Sequence, residues 1–208
     1  MNGPTPQAMN SAFGDLGPDA QPGAGIPGHP SRIHRLSLVL HPDPILRTVC
    51  EPVETFDSTL RDVADEMLAL MRRHTGIGLA APQVGLRQRL IVASIENRPF
   101  VLSNLDVTDS SEPRNLVEGC LSLPGVQVNV RRPERIRVTG YDLHGQRRSF
   151  SAAGLWARVI LHELDHLNGV LICDYDPPAD EPSRHGLQEL LAMLAEERFP
   201  LSHMEAIP

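Results

Sequence analysis

Lysine is absent from this chain: all 19 of its Lys and Arg positions are arginine. No folding argument accounts for that. A G+C-rich genome disfavours lysine codons, so the absence leans towards a bacterial source and says nothing about chemistry. Long apolar runs are missing as well. None approaches the roughly 18 residues that a membrane helix requires, so no segment is expected to cross a bilayer. Cysteine is scarce: Cys50, Cys120 and Cys173 are an odd number at wide spacing. That argues against a secreted disulfide framework, leaves at least one thiol free and fits the reducing cytoplasm. Excess positive charge is also lacking. The formal net charge is −7, which gives no global attraction to nucleic acid.

What is present fits one globular domain, with 208 residues, 41% of them hydrophobic and 22% charged. Residues 1–31 stand apart. They are dense in Pro, Gly, Asn and Gln, include Asp15 and Asp19, and contain no Arg or apolar core segment. They lack the pattern of a signal or transit peptide. Such a stretch buries too little apolar surface to offset its ordering entropy, so it is expected to be a mobile tail. A single domain is expected over 32–208.

Within that domain the apolar spacing of Leu60, Val63, Met67, Leu70 and Met71 predicts a helix from about Ser58 to His74, ended by Gly76. Thr59 with Asp62, Asp57 or Ser58 could each cap its start. Strands are expected at Arg89 to Ile95, Phe100 to Leu105, Val126 to Val130 and Arg135 to Tyr141. A hairpin turn over Leu143 to Gln146 should lead into a further strand at Arg147 to Phe150. A second helix is expected from Leu155 to Leu167, stopping at Asn168-Gly169, and a last one at about 183–199. Strands grouped between helices, without βαβ alternation, point to an α+β domain.

The chemistry begins on the second helix. In His162-Glu163-Leu164-Asp165-His166 the two histidines lie four residues apart, on one face, so both rings can reach one ion. Glu163 sits about 100° round the helix, placed to hold a water rather than the metal. A zinc protease of the HExxHxxGxxH type would take its third ligand downstream, but the last position of that pattern is Ile172. Upstream, Glu118-Gly119-Cys120-Leu121-Ser122 offers Cys120 as a third ligand, although a lone cysteine is more often a small core residue. A third segment, Gly76 to Gly85, strips side chains from the backbone with two glycines and two alanines, so something comes close there. It then presents Gln83, an amide donor suited to an oxyanion.

Together the three segments, GIGLAAPQ, EGCLS and HELDH in this order, resemble the peptide deformylase family, whose signatures are GxGxAAxQ, EGCLS and HExDH. Similarity extends from about Leu36 to Asp176. The resemblance implies an α+β fold with small mixed sheets around a central helix that carries the HExDH motif. It implies Cys120, His162 and His166 as ligands of one divalent ion, with iron(II) native and zinc, nickel or cobalt able to replace it. It makes Glu163 the acid/base, and Gln83 and the Leu121 backbone N–H the oxyanion donors. The expected reaction is hydrolysis of the formyl group from a formyl-Met peptide.

Gly78 would let substrate backbone lie alongside. Helix geometry puts Leu155 and Val159 on the face of His162, so with Ile77 they are the candidates for a methionine slot. Arg158 either rims that slot or forms a surface ion pair. The chain departs from the family at Leu161, where Gln is usual, and at Leu105, where Pro is usual. Arg131, Arg132, Arg135, Arg137, Arg147 and Arg148 read as a solvated sheet face with ion pairs rather than a docking patch. The expected partners are the formyl-Met peptide and a weak, transient ribosome contact, with no membrane and no specific nucleic acid. Two alternatives stay open: a specialised hydrolase for another formylated metabolite, and a catalytically silent metal-binding relative. Retention of Gln83 and Glu163 speaks against the silent one, because a structural metal site needs neither.

Overall fold

The computed structural model describes residues 36–175; the expected tail at 1–31 and the expected helix at 183–199 lie outside the described residues. Helix α1 runs Ser58–Arg73. Of the candidate caps it is Asp57 that serves, accepting the Leu60 N–H at 3.0 Å. The exit differs in detail from expectation. Thr75, not Gly76, takes the left-handed conformation with φ 54°, and the Gly76 N–H returns to Met71 O. Gly76 is small for another reason: a Cβ there would sit 2.7 Å from Leu121 Cδ1.

Five antiparallel strands form the main sheet. They are β1 (Gly78–Ala80), β2 (Leu90–Ile95), β3 (Arg98–Ser110), β6 (Arg135–Tyr141) and β7 (Arg147–Ala153), in that spatial order. Two further strands, β4 (Pro113–Cys120) and β5 (Leu123–Pro133), pair with each other as a separate ribbon. Sequence periodicity missed β1, which is three residues long, and β4, whose first five residues are all exposed. The turn into β7 is as expected. Asp142 Oδ1 accepts the N–H groups of His144 and Gln146, and Gly145 supplies φ 72°.

Helix α2 (Leu155–Leu167) carries the two histidines. It ends on Gly169 at φ 73°, with the Val170 N–H bonded to Asp165 O. A side chain at Gly169 would also meet Arg47 O at 2.5 Å. The near-continuous apolar run of β2 is explained by helices on both faces. Leu90 and Val92 pack towards α1 with Leu60, Met67 and Met71. Ile91, Ala93 and Ile95 pack towards α2 with Ala157, Val159 and Ile160. A third cluster under the ribbon joins Leu123, Val126, Val128 and Val130 to Leu46, Leu171 and Ile172. Each fully buried side chain of this size contributes roughly 1.5–3 kcal/mol. The helix with the histidines is thus held between the sheet and the ribbon. Among the described residues no helix is long and apolar enough to cross a membrane.

Candidate metal centre

Two elements, the end of β4 and helix α2, deliver the three donor atoms. The β4–β5 register slips between Gly119 and Cys120, so that Cys120 pairs with Leu123 across a tight turn. That turn faces α2, and Cys120 Sγ lies 3.2 Å from His166 Nε2. The ligand atoms of Cys120, His162 and His166 all fall within 4.8 Å of one another. The two imidazoles stand edge to face, with centroids 4.9 Å apart, as one helical turn dictates.

Glu118 sets the tautomer of His162. Its Oε2 lies 3.1 Å from His162 Nδ1, and a carboxylate there can only accept, so Nδ1 carries the hydrogen and Nε2 is free for an ion. The same carboxylate takes Arg132 through two hydrogen bonds, of 2.7 and 2.9 Å, and Arg158 at 2.5 Å. Burial alone would raise the Glu118 carboxyl, but hydrogen bonds from His162 and Arg132 and their charges hold it down to about 2. Arg132 NH1 continues to Asp165 Oδ2 at 2.8 Å, and the Tyr175 hydroxyl donates to that oxygen at 2.6 Å. Burial, then that bond to Asp165, lifts the Tyr175 hydroxyl to about 12.

Two sequence expectations are corrected here. Arg132 is not on a solvated face: it is only 3% exposed, bonded to Glu118 and Asp165 and stacked over Tyr175. Arg158 does line the cavity, as one expectation had it, but it is not a surface ion pair. It is 7% exposed and bonds Glu118, Val130 O and Arg114 O. The two departures from the family pattern cause no break. Leu105 is fully buried, Asn104 clasps both backbone groups of Val53, and Leu161 packs against the core.

Glu163 is 3% exposed, and its Oε2 has no hydrogen-bond partner among the described residues. Burial pushes its carboxyl up, against the charges of His162 and Arg132, to about 7. Its Oε1 would lie 2.2 Å from a Cβ on Gly78, with Val159 Cγ1 at 2.9 Å, which is why that position of β1 carries glycine. Gln83, in the 3-10 turn after β1, is held by its own Oε1, which accepts the Ala80 N–H at 2.8 Å. That leaves Nε2 pointing at Ser122 Oγ, 3.2 Å away, and Cys120 Sγ, 3.6 Å away.

A cavity of about 410 Å³ opens beside these groups. Ile77, Gly78, Leu121, Leu155 and Val159, all singled out in the sequence, line it together with Gln83, Glu163 and Arg158. His166 lies behind, 1% exposed. Missed in the sequence were Arg132, Asp165 and Tyr175 as supports. Asp165 carried a usable signal, since it stands three residues after His162 within the motif.

The chain is similar to known proteins over most of its described length. A family model described as polypeptide deformylase matches residues 36–181. Among curated proteins, the peptide deformylase of Dictyoglomus thermophilum is 46% identical over 132 residues, which is 64% of this chain and 86% of the relative. That of Rhizobium meliloti is 46% identical over 144 residues, 66% and 83% of the two chains. Among solved structures, the peptide deformylase of Thermotoga maritima superposes with a TM-score of 0.68 at 38% identity, covering 70% of this chain and all of that one. The enzyme of Synechococcus elongatus in complex with actinonin gives 0.70 at 37%, covering 83% and 92%.

Proposed function

We infer the work of each side chain from one premise: the chain belongs to the polypeptide deformylase family and removes the N-formyl group from nascent peptides. The family is metal dependent, and the donor set fits an ion, with a cysteine sulfur and two imidazole nitrogens converging at one point. Cys120, His162 and His166 would hold one divalent cation, with iron(II) as the native metal and zinc, nickel or cobalt as substitutes. When bound, the cation supplies Lewis acidity to a water and to the formyl carbonyl.

Glu163 carries the proton. Its unpartnered, buried Oε2 beside the donor triad is the observation on which this role rests. It takes the proton as the water attacks the formyl carbon. It then returns the proton to the methionine nitrogen as the C–N bond breaks and formate leaves. Gln83 Nε2 and the Leu121 N–H donate to the oxyanion of the tetrahedral intermediate. Gln83 is ready to do so because Ala80 fixes its direction. Gly78 leaves room for substrate backbone, and Ile77, Leu155 and Val159 receive the methionine side chain.

Anaerobic purification with metal analysis, followed by turnover of formyl-Met against acetyl-Met peptides, tests the assignment. One ion per chain and formyl selectivity are expected. Glu163→Ala should keep the ion and lose nearly all turnover, and retained turnover would remove Glu163 from the mechanism. The enzyme acts in the cytoplasm with weak, salt-sensitive ribosome association, checked by co-sedimentation at low and moderate salt. Residues 1–31 are dispensable for catalysis, and a large fall in rate or melting temperature on their deletion would refute that.

A further inference from the structure

One wall of the cavity is formed by the ribbon. Among the described residues strands β4 and β5 pair only with each other, and an isolated two-stranded hairpin is marginal in water. Leu116 and Val117 of β4 line the cavity while being 41% and 55% exposed. Something has to hold that wall at a fixed distance from α2, where Leu155 and Val159 form the opposite side.

Arg158 is placed to do it. It stands on α2 three residues after Leu155 and one before Val159, and it is buried. All three acceptors of its guanidinium belong to the ribbon: Arg114 O on β4 at 2.8 Å, Val130 O on β5 at 3.0 Å, and Glu118 Oε1 at 2.5 Å. Both strands are therefore tied to the helix by one planar group, which a lysine ammonium cannot imitate. The two arginines on Glu118 divide the work. Arg132 continues to Asp165 and Tyr175, away from the cavity, whereas Arg158 lines it.

We propose that Arg158 is a specificity-determining positioning residue, a tie between α2 and the β4–β5 ribbon that fixes the shape of the slot for the substrate's first side chain. The proposal rests on the deformylase reading above. With the tie in place, the slot fits a long unbranched apolar side chain and turns away a bulky ring. With the tie loosened, the ribbon wall yields and discrimination falls, while the metal, held from the Arg132 side, stays.

The test uses the metal-loaded full chain as wild type, Arg158→Lys and Arg158→Met, with kcat and KM measured on formyl-Met-Ala-Ser and formyl-Phe-Ala-Ser. In both variants the Met-over-Phe ratio of kcat/KM should fall by about 5-fold or more, more for Met than for Lys, through a raised KM for the methionine peptide. Metal content should remain one ion per chain. Equal proportional losses on the two peptides, or a loss that follows metal content, would overturn the proposal. If Arg158→Met does not fold, the Lys variant decides alone, and an unchanged ratio in it is a refutation. A wild-type chain that releases no formate would instead overturn the deformylase reading.

Discussion

Among the described side chains, the five strands of the main sheet bury no charged group, whereas the β4–β5 ribbon buries Glu118 and Arg132 and receives Arg158 from α2. Both regions border the same cavity, yet they are held differently. The sheet rests on apolar packing against two helices, where each contact adds a modest increment. In the ribbon, a carboxylate and two guanidiniums are out of water, and the attraction that repays their desolvation runs through the one carboxylate they share. The difference teaches where the candidate metal site is fragile: the ribbon holds Cys120 and orients His162 through Glu118, so the site depends on that one buried carboxylate.

The largest effect should come from the charges. Glu118→Ala leaves Arg132 and Arg158 buried without their carboxylate, which should cost about 3–5 kcal/mol of stability. It should also weaken metal binding roughly 10- to 100-fold, because the support of His162 goes with it. Urea unfolding of the metal-free protein and a metal titration measure the two. A loss under about 1 kcal/mol would break the comparison. In the sheet, Ile91→Ala should cost about 3 kcal/mol by opening a cavity against α2, and leave metal affinity unchanged. Linked losses of stability and affinity there would mean that the two regions are not separable.

Gln83 sits on the seam, following β1 in the chain but reaching towards Cys120 and Ser122 of the ribbon. Gln83→Leu should slow turnover by about 10²-fold or more, with the peptide still bound, as when one oxyanion donor is lost. An unchanged rate would make Gln83 a purely structural link.

The smallest effect is expected where the sheet does use charge, at Asp142 in the β6–β7 turn. Burial would raise this carboxyl, but the Gln146 N–H, the Arg148 guanidinium and the His144 N–H bring it below its ordinary range. Its contribution is therefore present above the unfolded value, near 3.9, and fades as pH falls through the lower folded value. The melting-temperature gap between wild type and Asp142→Asn should be modest, reflecting up to about 1 kcal/mol, and should narrow between about pH 5 and pH 3. A gap that widens on acidification would contradict the sign.

Much of the sheet region was legible in advance. Helix α2 begins and ends at the expected residues, and β6 matches throughout, because apolar period and turn chemistry are local properties. The ribbon was not. In β4 the alternation is hidden by five exposed residues in a row, and the partners of Glu118 lie 14, 40 and 44 residues away, at Arg132, Arg158 and His162. An arginine that finds a carboxylate across that interval looks, in the sequence, like any solvated arginine.

The sequence by itself determined the α+β class and, through the family resemblance, named the candidate ligand set and proton carrier. The HELDH spacing puts two rings on one helical face whatever surrounds it, and the three motifs together are too specific to arise by composition. Only the tertiary structure decided which charges are buried, which nitrogen of His162 faces Glu118, and that one Glu118 oxygen takes His162 while the other takes Arg158. Burial and pairing between distant segments depend on how the ribbon lies over α2, and no local periodicity encodes that distance.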